Sequence, residues 1–149
     1  MYEILIVGGG PAGLTAAIYA ARAGKHVAVL ERGSTGGQII SAPLVENYPG
    51  IPSVSGTELA RQMTEQACTF GAEIVYTEAV GLEKTPAGFR VLCTDGAREA
   101  KTVILATGAA HRSLGLAAED ALTGCGVSYC AVCDGAFYEG ADVAVVGGG

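Results

Sequence analysis

The chain has 149 residues, enough for one domain of ordinary size, and half of them are hydrophobic, so a sizeable core can be buried. Its net charge is −6 and it has no run of lysine or arginine, which excludes a nucleic-acid surface because phosphate binding needs a concentrated basic patch. No apolar stretch approaches a membrane span, and the N-terminal apolar run lacks a basic leader, so we expect a cytoplasmic protein without a membrane partner.

The N-terminal segment predicts one strand–helix–strand unit. Residues 4–7 are wholly apolar, as is typical of a buried parallel strand, and three glycines follow them. Pro11 can begin a helix, which we expect to continue over residues 12–23. Residues 27–30 form the next predicted strand, and Glu31 stands at its end.

The middle of the chain predicts a long loop, a second helix and an antiparallel meander. Residues 33–56 hold three of the five prolines and show little periodicity, which indicates an ordered loop or a binding segment. Residues 56–70 predict a helix with Thr57 as its N-cap. Four strand-like stretches separated by turn signals then lead back to the parallel sheet, at residues 73–76, 79–82, 89–93 and 102–105.

A glycine motif follows the first predicted strand. Gly8, Gly10 and Gly13 have the G-x-G-x-x-G spacing, which allows a sharp turn, a close approach of pyrophosphate and tight helix–strand packing. Glu31 can accept hydrogen bonds from a ribose diol. Strand, turn, helix and acid together predict a dinucleotide site, while FAD and NAD both stay open at this point. A glycine turn kept only for packing is the other interpretation.

Two regions of the chain repeat one pattern. Residues 3–10 recur as residues 142–149, and each copy has an apolar strand-like run followed by three glycines. The second copy stops on its third glycine, before any helix that would complete a phosphate-binding turn. We therefore expect a fragment of a longer protein that holds the start of a second nucleotide-binding domain.

Two cysteines, Cys130 and Cys133, stand two residues apart, and Asp134 follows them. Such a pair can close a reducible disulfide, and the neighbouring acid can move protons. A zinc site would need a second pair of ligands, and a plant-type iron–sulfur site would need a further cysteine downstream. We therefore expect a redox pair and no metal, with a structural metal knuckle as the alternative. The remaining cysteines and histidines show no second ligand-like spacing; they are Cys68, Cys93, Cys125, His26 and His111.

Together these motifs resemble the low-molecular-weight thioredoxin reductases, over the whole chain and in order. The resemblance implies an α/β fold in which residues 1–113 form a Rossmann-like FAD-binding domain, with a parallel sheet and an antiparallel meander, that lacks its C-terminal segment. It implies that residues 114–149 are the crossover and the truncated start of a Rossmann-like NADPH domain that carries the cysteine pair. The segments that carry the resemblance are Glu31 and residues 8–13, 36–38, 46–50, 106–108, 126–135 and 143–149.

The same resemblance implies where FAD binds. Its pyrophosphate would lie at residues 8–13, its adenosine ribose near Glu31, and its flavin half near Gln38 and Asn47. For residues 47–50, local chemistry alone favours a simple proline turn. The cofactor-binding residues that we expect are Gly8, Gly10, Pro11, Ala12, Gly13, Glu31, Arg32, Gly37, Gln38, Asn47, Val80, Ala106, Thr107 and Gly108.

In that family, electrons pass from NADPH through FAD to the cysteine pair and then to thioredoxin. By position, Cys133 would face the flavin, Cys130 would attack the partner disulfide, and Asp134 would be the acid–base group, with helix capping as its alternative role. We expect a homodimeric thioredoxin-disulfide reductase that serves thioredoxin or a similar small disulfide protein. The 149-residue chain itself should show no NADPH turnover.

Two alternatives to this function stay open. One is a related flavoprotein disulfide reductase that uses another donor or acceptor, such as ferredoxin or a peroxiredoxin. The other is a non-catalytic nucleotide- or metal-binding module.

The family pattern is also broken at residues 114–120 and at Cys125. We interpret Cys125 as a buried small hydrophobic residue or as a thiol that could trap a wrong disulfide.

Overall fold

The structure is a computed structural model that describes residues 1–147, apart from the side chains of Val132 and Cys133. The chain divides into two compact units, residues 1–108 and residue 109 onward. The first unit contains six strands: β1 (Tyr2–Val7), β2 (Val27–Glu31), β3 (Glu73–Tyr76), β4 (Ala79–Thr85), β5 (Gly88–Cys93) and β6 (Gly96–Leu105).

The six strands form one mixed sheet in the order β3-β2-β1-β6-β5-β4. β1 pairs in parallel with both β2 and β6, and β2 pairs in parallel with β3. β4, β5 and β6 are joined by antiparallel pairing. The predicted Rossmann-like α/β fold, with a parallel sheet and an antiparallel meander, is thereby confirmed.

Two helices cover one face of this sheet, α1 (Pro11–Arg22) and α2 (Gly56–Thr69). α1 is rich in alanine and buries Leu14 and Ile18, while α2 buries Leu59 and Met63. These side chains share a core with Ile6 and Val29 of the sheet. The opposite sheet face gathers a second apolar cluster, so the central strands are buried on both faces, as is typical of parallel sheets. That cluster consists of Leu5, Ala28, Leu30, Val91, Cys93 and Ala100.

β6 begins six residues earlier than the sequence indicates. The sequence pattern did not reveal its first half because that half is polar. In the structure this half pairs antiparallel with β5, and Arg90 lies 3.3 Å from Glu99 on the neighbouring strand. Cross-strand pairs of opposite charge suit an exposed sheet face. The charged residues therefore mark a half-exposed strand, which pairs with the core strand β1 from Ala100 onward.

The N-cap of α2 is Ser55, and the prediction of Thr57 was wrong. The Ser55 hydroxyl oxygen accepts a hydrogen bond from the Glu58 N–H at 3.2 Å, whereas the Thr57 hydroxyl donates to the Ile40 carbonyl at 3.3 Å. Gly56 starts the helix against the Ile39 carbonyl oxygen, which would lie 1.7 Å from a Cβ at this position. The helix therefore begins two residues earlier than a Thr57 cap would allow.

Replacing Ser55 with alanine should lower the free energy of unfolding by about 1 kcal/mol, since one N–H of the first turn loses its acceptor. The measurement is the urea midpoint followed by circular dichroism. Ser53→Ala is the matched control, because this serine is also exposed but caps no helix. Equal losses in the two variants would contradict the assignment of the cap.

The second unit contains two short helices, α3 (Glu119–Leu122) and α4 (Ala131–Asp134), and a 3₁₀ turn at Gly135–Tyr138. Residues 142–147, where the repeated motif resembles a strand, form no strand, and Val143, Val145 and Val146 are exposed. A parallel strand of this composition is stable only between neighbouring strands, and the described residues of the second unit provide none. Across residues 1–147, no helix is long and apolar enough to cross a membrane.

Candidate functional site

The first glycine of the motif brings the end of β1 against the end of β6. Gly8 has a φ of +106°, and a Cβ there would lie 2.2 Å from the Ala106 carbonyl oxygen and 3.3 Å from the Thr107 Cα. The Ala106 N–H donates to the Val7 carbonyl at 2.8 Å. Only glycine fits at position 8, and two of the expected cofactor-binding residues, Ala106 and Thr107, therefore lie at the turn.

The other two glycines of the motif have different reasons for being glycine. A Cβ on Gly13 would lie 1.9 Å from the Gly8 carbonyl oxygen, so Gly13 is required by the packing of α1 on the turn. A Cβ on Gly10 would meet only the Gly36 carbonyl oxygen at 3.9 Å, and the φ of Gly10 is −75°, which any residue can adopt. The packing of the chain therefore leaves Gly10 unexplained and leaves open space above it.

The N-terminus of α1 lies beside this open space. Pro11 occupies the first helical position, and Ala12 and Gly13 follow it. No side chain caps the helix, and no acidic residue stands in its first turn. A helix start of this kind presents backbone N–H groups and a partial positive charge, which suit an anion such as a pyrophosphate.

Glu31 is fixed beside the same turn by two backbone N–H groups. Its Oε2 accepts from Gly9 at 2.7 Å, and its Oε1 accepts from Gly33 at 2.8 Å. Each carboxylate oxygen has a further acceptor site, so the carboxylate can still accept hydrogen bonds from ligand hydroxyl groups. The Arg32 side chain is 79% exposed and lies 3.8 Å from the Glu78 carboxylate.

A second glycine pair packs onto the first turn. The Gly36 N–H donates to the Gly9 carbonyl at 2.7 Å, and a Cβ on Gly37 would lie 3.4 Å from the Gly10 Cα. Gly37 and Gln38 begin a 3₁₀ turn, Gly37–Ser41. The structure thus brings Gly37 to the open space above Gly10, from a segment that is distant in the sequence.

Three expected cofactor-binding residues lie outside these contacts. Asn47 is exposed in the loop before α2, and Val80 is 62% exposed on β4, where the pairing register shifts. Gly108, with a φ of +72°, ends the first unit. No hydrogen bond among the described residues joins Asn47 or Val80 to the glycine turn. Their assignment to the cofactor stays a prediction.

The cysteine motif lies in the second unit, at the start of α4. Cys130 precedes the helix, is half-buried and takes part in a disulfide. The Cys133 side chain, which the family resemblance implies would face the flavin, lies outside the described residues. Cys68, Cys93 and Cys125 are free thiols. Cys125 is exposed, so its interpretation as a buried small hydrophobic residue is wrong.

Ser128 links Asp134 to the backbone of Cys130, which the sequence analysis missed. Its hydroxyl donates to Asp134 Oδ2 at 2.6 Å and accepts from the Cys130 N–H at 3.1 Å. The Asp134 N–H in turn donates to the Cys130 carbonyl at 3.0 Å. A serine three residues before a helix start can bond to nearby backbone groups, and this signal could have identified the contact.

The Glu119 carboxylate joins residues between 113 and 129 of the second unit by hydrogen bonds, although it lies in the stretch that departs from the family pattern. It is 3% exposed and accepts hydrogen bonds from the N–H groups of Leu114 and Leu116 and from the hydroxyls of Ser113 and Tyr129. The Leu114 N–H is the main cause that lowers the pKa of this carboxyl below its ordinary value of 4.5. Tyr129, which precedes Cys130, also stacks on the His111 ring with the centroids 3.5 Å apart.

Comparisons with known proteins cover the whole chain. A family model described as pyridine nucleotide-disulphide oxidoreductase matches residues 2–149. A thioredoxin reductase of Listeria monocytogenes is 45% identical over 149 residues, which are 100% of this chain and 47% of the relative. The chain thus spans about half the length of the curated relatives it matches, and it corresponds to their N-terminal part.

Solved structures give the same match. The crystal structure of thioredoxin reductase from Streptococcus pyogenes is 50% identical, with a TM-score of 0.79, over 93% of this chain and 45% of that chain. Thioredoxin reductase from Lactococcus lactis is 42% identical, with a TM-score of 0.79, over 93% of this chain and 46% of that chain. The similarity therefore covers both the fold and the overall sequence.

Proposed function

The chain belongs to the pyridine nucleotide-disulphide oxidoreductase family, and from this we propose that its first unit binds FAD and that its Cys130/Cys133 pair passes electrons to a protein disulfide. We further propose that the protein, at the length of its relatives, takes these electrons from NADPH and delivers them to thioredoxin as a homodimer. The name of these relatives, thioredoxin reductase, supports thioredoxin as the acceptor.

The observation that carries the flavin proposal is the open space above Gly10. Gly8 and Gly13 are glycine because the chain itself fills the space beside them, whereas Gly10 faces space that the chain leaves empty. This space borders the uncapped start of α1 and the Gly37 turn. A pyrophosphate fits a site of this kind, because backbone N–H groups and the helix dipole stabilise its charge without lysines.

FAD bound at this site would supply two-electron chemistry between a reduced nicotinamide and the cysteine disulfide. The role of the chain is to hold the cofactor. In the proposed arrangement, Glu31 accepts hydrogen bonds from the ribose, and the turns at Gly8–Gly13 and Gly37 hold the pyrophosphate. The other expected cofactor-binding residues, including Gln38, Asn47 and Ala106, belong to the same proposal.

The thiol chemistry would proceed in two exchange steps. The Cys130 thiolate attacks the partner disulfide, so a mixed disulfide forms and the first partner thiolate leaves. Cys133 then attacks Cys130, which closes the internal disulfide and releases the second partner thiolate. Two electrons and two protons leave the dithiol and reach the partner, and Asp134 is proposed to supply protons to the leaving thiolates.

A titration with FAD tests the cofactor. The unmodified chain should bind FAD, seen as quenching of flavin fluorescence and a rise in melting temperature. Gly10→Ala should lose this binding while keeping the melting temperature of the FAD-free chain, because its Cβ has room but occupies the pyrophosphate space. Gly135→Ala is the control, since a Cβ there meets nothing within 4 Å and the residue belongs to the second unit. Equal binding of FAD by Gly10→Ala and by the unmodified chain would overturn the assignment of the pyrophosphate to this space.

Anaerobic reduction tests the electron path. The FAD-loaded chain should consume about two equivalents of dithionite, one for the flavin and one for the disulfide, whereas Cys130→Ser should consume about one. Cys68→Ser should keep the value of the unmodified chain, because Cys68 is a free thiol on α2. If the Cys130→Ser variant still consumed two equivalents, or if zinc bound stoichiometrically, a non-catalytic module would be the better description.

A further inference from the structure

We propose that Ser128 is the positioning residue of Asp134, and that its hydroxyl keeps the carboxyl group at the cysteine helix in both protonation states. This inference rests on the proposed function, in which Asp134 gives protons to leaving thiolates. Ser128 lies outside the C-x-x-C-D sequence and would act together with Asp134, the polar residue within it.

Ser128 lies at the point where the segment before Cys130 meets α4. Its Oγ is 2.6 Å from Asp134 Oδ2, 3.1 Å from the Cys130 N and 3.4 Å from the Cys130 carbonyl oxygen. One hydroxyl therefore reaches the acid and both backbone polar groups of a redox cysteine. Asp134 lies one helical turn after Cys130, and its N–H donates to the same Cys130 carbonyl at 3.0 Å.

The number of donors and acceptors explains why a hydroxyl suits this place. A serine hydroxyl has one hydrogen to donate and two lone pairs that can accept. One lone pair accepts from the Cys130 N–H, whichever way the hydroxyl hydrogen points. The hydrogen and the second lone pair remain available for Asp134 and for the Cys130 carbonyl.

The hydroxyl hydrogen and the second lone pair of Ser128 can form hydrogen bonds with both the ionised and the protonated carboxyl group of Asp134. When Asp134 is ionised, the Ser128 hydroxyl donates to its carboxylate, as the 2.6 Å contact indicates. When Asp134 is protonated, the carboxyl group can donate to the second lone pair of Ser128, while the hydroxyl hydrogen turns to the Cys130 carbonyl at 3.4 Å. The acid can therefore take a proton from a thiol or from water and give it to a leaving thiolate without changing its place.

The proton balance follows from the exchange steps. In each step one sulfur–sulfur bond forms, another breaks, and one thiolate leaves. Asp134 gives its proton to that thiolate and is restored by a proton from the thiol that becomes the next nucleophile or from water. Ser128 only reorients its hydrogen, so it gains and loses no proton in the net reaction.

The choice of disulfide substrate tests this inference on the prereduced chain. Hydroxyethyl disulfide releases an alkyl thiolate that needs a proton, whereas 5,5′-dithiobis(2-nitrobenzoate) releases a thiolate that is stable without one. Ser128→Ala should slow exchange with hydroxyethyl disulfide by roughly tenfold and leave exchange with the aromatic disulfide within about twofold. Quenching with iodoacetamide and mass analysis of the Cys130 peptide would give both rates.

Further variants separate positioning from structural damage. Ser128→Thr keeps the hydroxyl and should restore most of the rate with hydroxyethyl disulfide. Ser113→Ala is the matched control, because Ser113 also donates to a carboxylate, that of Glu119 at 2.7 Å, in the same unit. Its ratio of the two rates should equal that of the unmodified chain. A decrease in both rates of Ser128→Ala to the same extent would overturn the inference, because damage to the fold affects both substrates.

The variant Asp134→Asn distinguishes failure of the inference from failure of the proposed function. If Asp134 is the acid, this variant slows hydroxyethyl disulfide selectively, and adding Ser128→Ala to it changes nothing more. If Asp134→Asn is selective but Ser128→Ala is not, the inference is wrong and the proposed function stands. If Asp134→Asn leaves both rates unchanged, the acid–base role of Asp134 is wrong, and the inference falls with it.

Discussion

Replacing Gly13 with alanine is expected to destabilise the first unit far more than the same replacement at Gly10. The new Cβ would lie 1.9 Å from the Gly8 carbonyl oxygen and 3.1 Å from its carbon. Both atoms belong to the backbone, so no side chain can turn away to make room. α1 would have to move off β1, together with the buried Leu14 and Ile18.

We expect a decrease in melting temperature of roughly 5 to 10 °C for Gly13→Ala, since overpacking that moves backbone costs a few kcal/mol. Thermal unfolding of the FAD-free chain, followed by circular dichroism, is the measurement. Gly10→Ala provides the comparison within the same motif, because its Cβ would have no contact closer than 3.9 Å. Equal melting temperatures for the two variants would contradict the different roles that the structure gives these glycines.

Replacing Glu119 with glutamine should loosen residues 113–129 of the second unit. The carboxylate accepts four hydrogen bonds, two of them from backbone N–H groups, and an amide group would turn one donor toward those donors. We expect faster amide exchange and faster proteolysis in this segment. Asp120→Asn is the control, because the neighbouring acid is exposed. Unchanged exchange in Glu119→Gln would contradict the central role of this carboxylate.

Acid should have the same effect on the unmodified chain. The pKa of Glu119 is lowered from 4.5, mainly by the hydrogen bond from the Leu114 N–H, so ionised Glu119 favours the folded unit. This stabilisation is fully present above pH 4.5 and is lost as the pH falls through the lowered pKa of Glu119 in the folded state. Proteolysis between residues 113 and 129 should therefore accelerate below pH 4.5 in the unmodified chain and change less in Glu119→Gln.

The fold was predictable where the sequence pattern is local. The apolar runs of β1 and β2 and the alanine-rich α1 each specify their own structure, and the glycine spacing fixes how they connect. The first half of β6 was missed because it is polar and becomes a strand only through its pairing with β5. The N-cap prediction of Thr57 was wrong because the helix already begins at Gly56, which packs closely on Ile39, so Ser55 stands at the capping position.

The candidate site shows the same division. Gly8, Gly10, Gly13 and Glu31 follow from spacing within one strand–helix–strand unit. Glu119 was missed because its importance comes from donors on both sides of it in the chain, the last of them the Tyr129 hydroxyl. Ser128 was missed because the C-x-x-C-D pattern directs attention to the residues after it. Hydrogen bonds between segments carry no signal in the periodicity of either segment.

The contact between Gly8 and Ala106 sets an order for folding. The two residues are separated by about a hundred positions, and the Ala106 carbonyl forms one wall of the glycine turn. During synthesis the first strand and helix emerge long before β6, so the glycine turn lacks its contact with Ala106 until that residue has left the ribosome. A ligand that requires the complete turn would then bind only after β6 has paired with β1, so its binding would report the formation of this strand pair.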